Sequence, residues 1–185
     1  MNKLEYLCSV FAVLLLIVIG SVQSYSQNFK IDIYTKEELI KLNKAYIKVL
    51  KEHRSRNAGI DVLVKLDTTT MFTAHAFAYE IQKEDRVGHP PVSVLRKLGV
   101  AEIAQGMSAD ALNYYRKRNY EALARYAYIV FSTSPLHNSI QRKSNLYFIG
   151  VGCNTHAFVV RLKDSPMPKE FAVNAIKDLE GMGCL

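Results

Sequence analysis

Between residues 35 and 54 the apolar residues Leu39, Leu42, Tyr46, Val49 and Leu50 recur at helical spacing with lysines between them. Thr35 and Glu38 form a capping-box pattern at the start, so the spacing predicts a helix over 35–54. NAGID breaks it. VLVKL, 62–66, is too short and too β-branched for a helix and predicts a strand. Asp67, or one of the threonines after it, can cap a second helix with Met71, Ala74, Ala78 and Ile81 along one face. Alanines at 74, 76 and 78 keep that helix slim enough for close packing. It should fray near Glu84, pass through the turn RVGHPP, and be followed by a short helix over 92–98 ending at Gly99.

Ser108 can cap a helix carrying Ala111, Leu112 and Tyr115. Asn119 divides it from a further run, Tyr120 to Ser132, striped by Leu123, Tyr126, Ala127 and Val130. Ser134-Pro135 stops that run and predicts that His137, next to Asn138, lies at a chain turn. LYFIGVGCN and HAFVVRLK then read as a β-hairpin around NTH. Pro166 and Pro168 open a tail with a last helix over about 168–180, stopped by Gly181. Helices first and a short hairpin after them predict an α+β layered domain.

The first residues change the picture of where this domain works. Lys3 and the amino terminus precede an apolar run from Leu7 to Ile19, then Gly20 and the small residues Ser24 and Ser26. That is the layout of a signal peptide over 1–26, cut near Ser26-Gln27, and it predicts a secreted or periplasmic protein. A retained membrane anchor is the competing reading, because the run approaches bilayer-spanning length. Cys8 lies at the start of the apolar core and no cysteine follows the core closely, so a lipoprotein anchor is not expected. Residues 27–185 suffice for one domain with a sizeable core. The chain carries +7, which suits anionic cell-wall polymers or lipid headgroups. YYRKRNY mixes tyrosines with basic residues, as a base-stacking surface would. Export argues against nucleic acid, and a solvated helix face explains the same mixture. Cys153 and Cys184 remain as an even pair, for which an oxidising compartment makes a disulfide pinning the tail plausible. Two separate thiols, with Cys153 buried in a strand, is the alternative.

Several motifs taken together resemble the CAP superfamily, the SCP-like or PR-1-like domains, in its compact bacterial form. Leu66-Asp67 opens a helix with small residues at Ala74 and Ala78, and His89 falls in its exit turn, where the family has its first histidine. AEIAQG stands at the family's Gly-Glu-Asn motif and places Glu102 at the glutamate. FSTSPLHN resembles the bacterial Trp-x-x-Ser-Pro-x-His pattern, with Phe131 for the tryptophan and His137 as second histidine. IGVGC and AFVVRL resemble the last two strands. Ala101 and Ile103 depart from the Gly and Asn of the motif, and Ser134 stands where larger members carry a second glutamate. About a dozen residues around ADALNYYRKRN look inserted, and 165–185 has no counterpart. The resemblance covers 27–164. It implies a three-layer α-β-α sandwich with a small antiparallel sheet and a cleft lined by His89, Glu102 and His137, where two histidines can hold a divalent metal such as zinc.

Other pairings compete for the chemistry. Cys153 with His156 could form a nucleophile pair, but a disulfide would abolish the thiolate. Ser134 could pair with His137, although no Gly-x-Ser-x-Gly elbow supports it. His75 reads as a core or edge histidine, His156 as exposed in the hairpin turn, and His53 as part of a polar run. Three functions follow as expectations. The first is a binding domain holding a metal, or a lipid, peptide or cell-wall ligand, without turnover. The second is a metal-dependent hydrolase with His89 and His137 as ligands and Glu102 as general base. The third is an adhesive envelope protein. The departures from the Gly-Glu-Asn motif favour binding, or a cleft kept as a remnant, over an enzyme.

Overall fold

A computed structural model describes residues 32–58 and 63–184. The elements are α1 (Lys36–Ala58), β1 (Lys65–Leu66), α2 (Thr68–Glu84), α3 (Val92–Leu98), β2 (Ala101–Gly106), α4 (Ala109–Arg116), α5 (Tyr120–Thr133), α6 (Pro135–Arg142), β3 (Phe148–Cys153), β4 (Ala157–Lys163) and α7 (Lys169–Gly181). The fold is α+β. The signal-peptide reading of 1–26 lies outside the described residues. Among those residues no helix is long and apolar enough to cross a membrane.

A sheet ordered β1-β3-β4-β2 carries the described residues. β4 pairs antiparallel with both β3 and β2, whereas β1 pairs parallel with β3. The sheet is therefore mixed, not wholly antiparallel. A parallel neighbour needs a long crossover, and the chain from α2 to the start of β3 supplies it. Alternation along the strands separates two faces. Ile149, Val151, Phe158 and Val160 are fully buried on the face under α1 and α5, where Phe158 meets Tyr46 and Phe131. Val159 and Ala157 face α2 with Ala74, Ala78 and Ile81. α7 covers α2 from outside, burying Ala175 and Leu179.

Local chemistry explains the element ends. Thr35 and Glu38 form the expected reciprocal cap, at 2.8 and 3.3 Å. Asp67 caps α2 by accepting from the Thr69 and Thr70 amides, and its other oxygen accepts from Met167 N–H at 2.6 Å, tying the tail to this helix start. Gly99 ends α3 at φ +63°, where the Lys163 ammonium donates to the Leu98 and Gly99 carbonyls at 2.7 and 3.0 Å. Asn43 substitutes for a missing neighbour on β3: it accepts from Val151 N–H at 2.7 Å and donates to Val151 C=O at 2.8 Å. It does so just beyond the two residues that pair with β1.

The structure corrects several expectations. AEIAQG, to which the sequence pattern assigns no element, is the edge strand β2. Among the described residues of the 62–66 run, which begin at Leu63, only Lys65 and Leu66 pair as a strand. His137 does not sit in a turn: Ser134 ends α5 in extended geometry and Pro135 occupies the first turn of a new helix, α6, a position where the missing N–H costs nothing. The tail helix runs through Gly181 and turns at Gly183, φ +66°. Of the residues in YYRKRNY, Tyr115 is in the core, stacked on Tyr34 at 4.2 Å, and Arg118 binds Glu38 at 2.7 Å.

Candidate functional site

Glu102 lies in β2 directly opposite Arg161 in β4, both on the face toward α2. An ionised pair this deep must be tightly bonded to be tolerated. Arg161 Nε donates to Glu102 Oε2 at 2.7 Å, its Nη1 donates to the Thr73 carbonyl at 2.7 Å, and its guanidinium lies over the Phe77 ring. The other carboxylate oxygen, Oε1, meets His89 Nδ1 at 3.1 Å. A chain of contacts thus runs from the floor of α2 through Arg161 and Glu102 to His89. The Glu102 side chain is fully buried and the His89 side chain 42% exposed, so the chain ends at the surface.

His137 reaches the same place from α6. Its ring centre lies 6.0 Å from that of His89 at 72°, with the Phe131 ring edge-on at 5.5 Å. α6 is fixed at its far end. Arg54, buried in α1, donates to Gln141 C=O at 2.7 Å, and Tyr46 O–H donates to the Gln141 side chain at 2.6 Å. A cation at the last carbonyls of a helix also suits its dipole. His89, bonded to Glu102, thus meets His137 beside the edge strand β2, and Val87 of the loop after α2 lies against Gly106 further along that strand.

Their environments push them apart. The hydrogen bond from Glu102 raises the His89 pKa above its ordinary value, against a smaller opposing effect of burial. Burial lowers that of His137, and the neighbouring His89 lowers it further. At neutral pH His137 is the neutral imidazole, and His89 is the more basic ring with Nδ1 already engaged. A carboxylate behind an imidazole fixes which nitrogen faces outward, as it does behind metal-bound histidines.

The structure thus brings His89, Glu102 and His137 together. Ser134 makes no side-chain cap on α6, and Asn138 lines a separate depression of about 290 Å³ with His53, Tyr128 and Arg142. Cys153 is fully buried and its thiol is pushed well up by burial, while His156 is exposed, so the two form no nucleophile pair. Cys153 and Cys184 are free. His75 is fully buried in α2, as a core residue.

A metal site can be tested against these donors. Both Glu102 oxygens and His89 Nδ1 are taken, which leaves His89 Nε2 and the His137 ring. Among the described residues no group of three or more His, Cys, Asp or Glu side chains is arranged to hold a metal ion. The residues fit two imidazoles sharing one ion, since 6.0 Å between rings is inside the roughly 8 Å that bonds of about 2 Å allow. They do not fit a three-ligand hydrolytic centre with Glu102 as base. Arg161 is the residue that sequence patterns missed. The signal was present: an arginine flanked by apolar residues in the middle of a buried strand has to find an anion.

Comparisons with known proteins add little to this geometry. No family model matches the chain, and no curated protein matches it. Among solved structures, an outer surface protein from Borrelia burgdorferi is similar at 18% identity over 70% of this chain and 94% of that chain, with a TM-score of 0.49, a likeness too loose to carry family or function.

Proposed function

We propose that this chain is an exported CAP-like binding domain that holds a divalent ion between His89 and His137, with an extended ligand completing the coordination and no chemical turnover. The observation that carries this reading is the convergence of two side chains far apart in sequence, His89 and His137, on rings 6.0 Å apart beside β2. Support also comes from the order of the CAP-like motifs along the sequence and from the apolar run at Leu7–Ile19. His89 Nε2 and the His137 ring would hold the ion. When bound, it supplies a Lewis-acid point for a carbonyl, carboxylate or phosphate of the ligand. Glu102 stands behind His89, saturated by Arg161, which suits positioning and not proton abstraction.

Zinc titration of the full chain by calorimetry at pH 7.5 tests the reading. Micromolar binding should weaken at least tenfold in His137→Ala and in His89→Ala. It should also fade toward pH 5.5, as a proton competes for the more basic His89. Heat signals that persist unchanged in both variants, or no binding by the unsubstituted chain, would refute the proposal.

A further inference from the structure

We propose that the groove between α2, α3 and α7 binds a primary amine carried on an apolar chain. This site goes beyond the histidine cleft and does not use His137. Two depressions form it and share Phe77, Glu80, Pro90 and Val94. The outer one, about 390 Å³, starts at His89 and passes Ile81 and Glu84. The inner one, about 160 Å³, runs on between α2 and α7 to Leu98, Phe171 and Asp178.

The walls and the charges specify the occupant. α3 buries none of its residues, and Val92 and Val94 remain 70% and 42% exposed. An apolar helix wall thus stands beside Phe77 and Phe171 without a partner of its own among the described residues. In a chain of net charge +7 the groove is anionic. Glu80 and Asp178 both line it, and neither has a side-chain hydrogen bond or ion pair with a described residue. Arg161, whose guanidinium reaches the inner part, is already committed to Glu102 and the Thr73 carbonyl. Glu84 contacts Arg86 at 3.4 Å, on the open side. Desolvation raises the Glu80 pKa, and the carboxylates of Asp178, Glu84 and Glu102 push it the same way, against the opposing pull of Arg161. A bound cation relieves that crowding. An ammonium group between Glu80 and Asp178, with its hydrocarbon against Val94, Leu98 and Phe171, satisfies both features. A fatty carboxylate would meet like charge.

Binding of octylamine, octanoate and octanol to the full chain, followed by calorimetry and by amide chemical shifts, decides the matter. Octylamine should bind at least tenfold more tightly than octanoate or octanol and shift Val94, Leu98 and Phe171. The double variant Glu80→Gln, Asp178→Asn should lose about tenfold in amine affinity, and His137→Ala should lose none. Equal or tighter octanoate or octanol binding, shifts confined to other parts of the molecule, or no amine binding at millimolar concentration overturns the proposal. An effect of His137→Ala comparable to that of the double variant overturns it as a separate site. Because the shifts are read on the unsubstituted chain, a variant that fails to fold does not rescue the idea. Failure of zinc binding leaves these outcomes unchanged, so the two proposals fall separately.

Discussion

His75 sits in the middle of α2 with no exposed surface, and neither ring nitrogen has a hydrogen-bond partner of normal geometry. Burial lowers its pKa to about 4, and the nearby Cys153 main chain only partly offsets this. The consequence for stability has a definite sign. Well above pH 6.5 the ring is neutral in both states and nothing is lost. As pH falls below 6.5 the unfolded chain takes up a proton that the folded chain refuses, so stability drops until about pH 4. At about 1.4 kcal/mol per pKa unit the loss is about 3 kcal/mol. Urea unfolding at pH 7.5, 5.5 and 4.5 should show this decline, and His75→Leu should flatten that part of the pH dependence whatever it does to stability at pH 7.5. An unchanged slope in the variant would remove His75 as its cause. The ring was legible in the sequence as a core histidine, because it falls among Ala74, Ala76 and Ala78 on a slim helix. That both nitrogens are orphaned was not, since helical periodicity says which face is buried but not what the strand opposite can accept. The same holds for Arg161: its charge marks it in the sequence, while its partner Glu102 depends on strand register.

At the scale of elements, the site depends on how closely α2 lies on β3. Gly150 and Gly152 face the helix, and a Cβ on Gly152 would collide with the His75 backbone, as one on Gly150 would with Met71 and Thr70. The helix therefore rests on bare strand backbone, and Thr73 comes near enough for its carbonyl to anchor Arg161. Gly152→Ala should push α2 off the sheet and destabilise the fold by about 3 kcal/mol or more, because the clash is with main chain and no side chain can rotate away. The loss would be read as a fall in the urea midpoint. A stability within about 1 kcal/mol of the unsubstituted chain would mean that α2 is not seated as described. Small residues at Ala74 and Ala78 made this close approach predictable, and the hairpin and most helices were legible from periodicity and caps. β2 was not, because AEIAQG is short, lies between Gly99 and Met107, and places Glu and Gln in its run without a continuous apolar stretch. What makes it a strand is its pairing with β4 along its whole length, a long-range contact that local pattern does not carry.

For the whole molecule, the question is what holds the tail, since 165–185 supplies α7 and hence one wall of the amine groove. Cys153 and Cys184 are both buried and free. On β3 the Cys153 side chain alternates with Gly152, so it points away from α2 and into the layer under α1. Cys184 follows α7 on the outer side of α2, where its amide donates to the Leu179 carbonyl at 2.8 Å and its thiol contacts the Met182 carbonyl at 3.3 Å. A disulfide needs Cα atoms within about 7 Å with facing Cβ vectors, and both cysteines are free here. Cysteine count, with the export expected from the sequence, points to a bond; strand alternation adds that the Cys153 thiol faces the layer under α1. The tail is held by Ala175 and Leu179 packed on α2 and by the Met167 amide on Asp67. Two outcomes follow from that. Unfolding the protein without reductant in the presence of iodoacetamide should label both Cys153 and Cys184, read by peptide mass, and reductant should leave the unfolding midpoint of the native protein unchanged. A cross-linked peptide joining Cys153 to Cys184 would require β3 or α7 to sit differently, and with it the backbone that presents Arg161 to Glu102 and Asp178 to the groove.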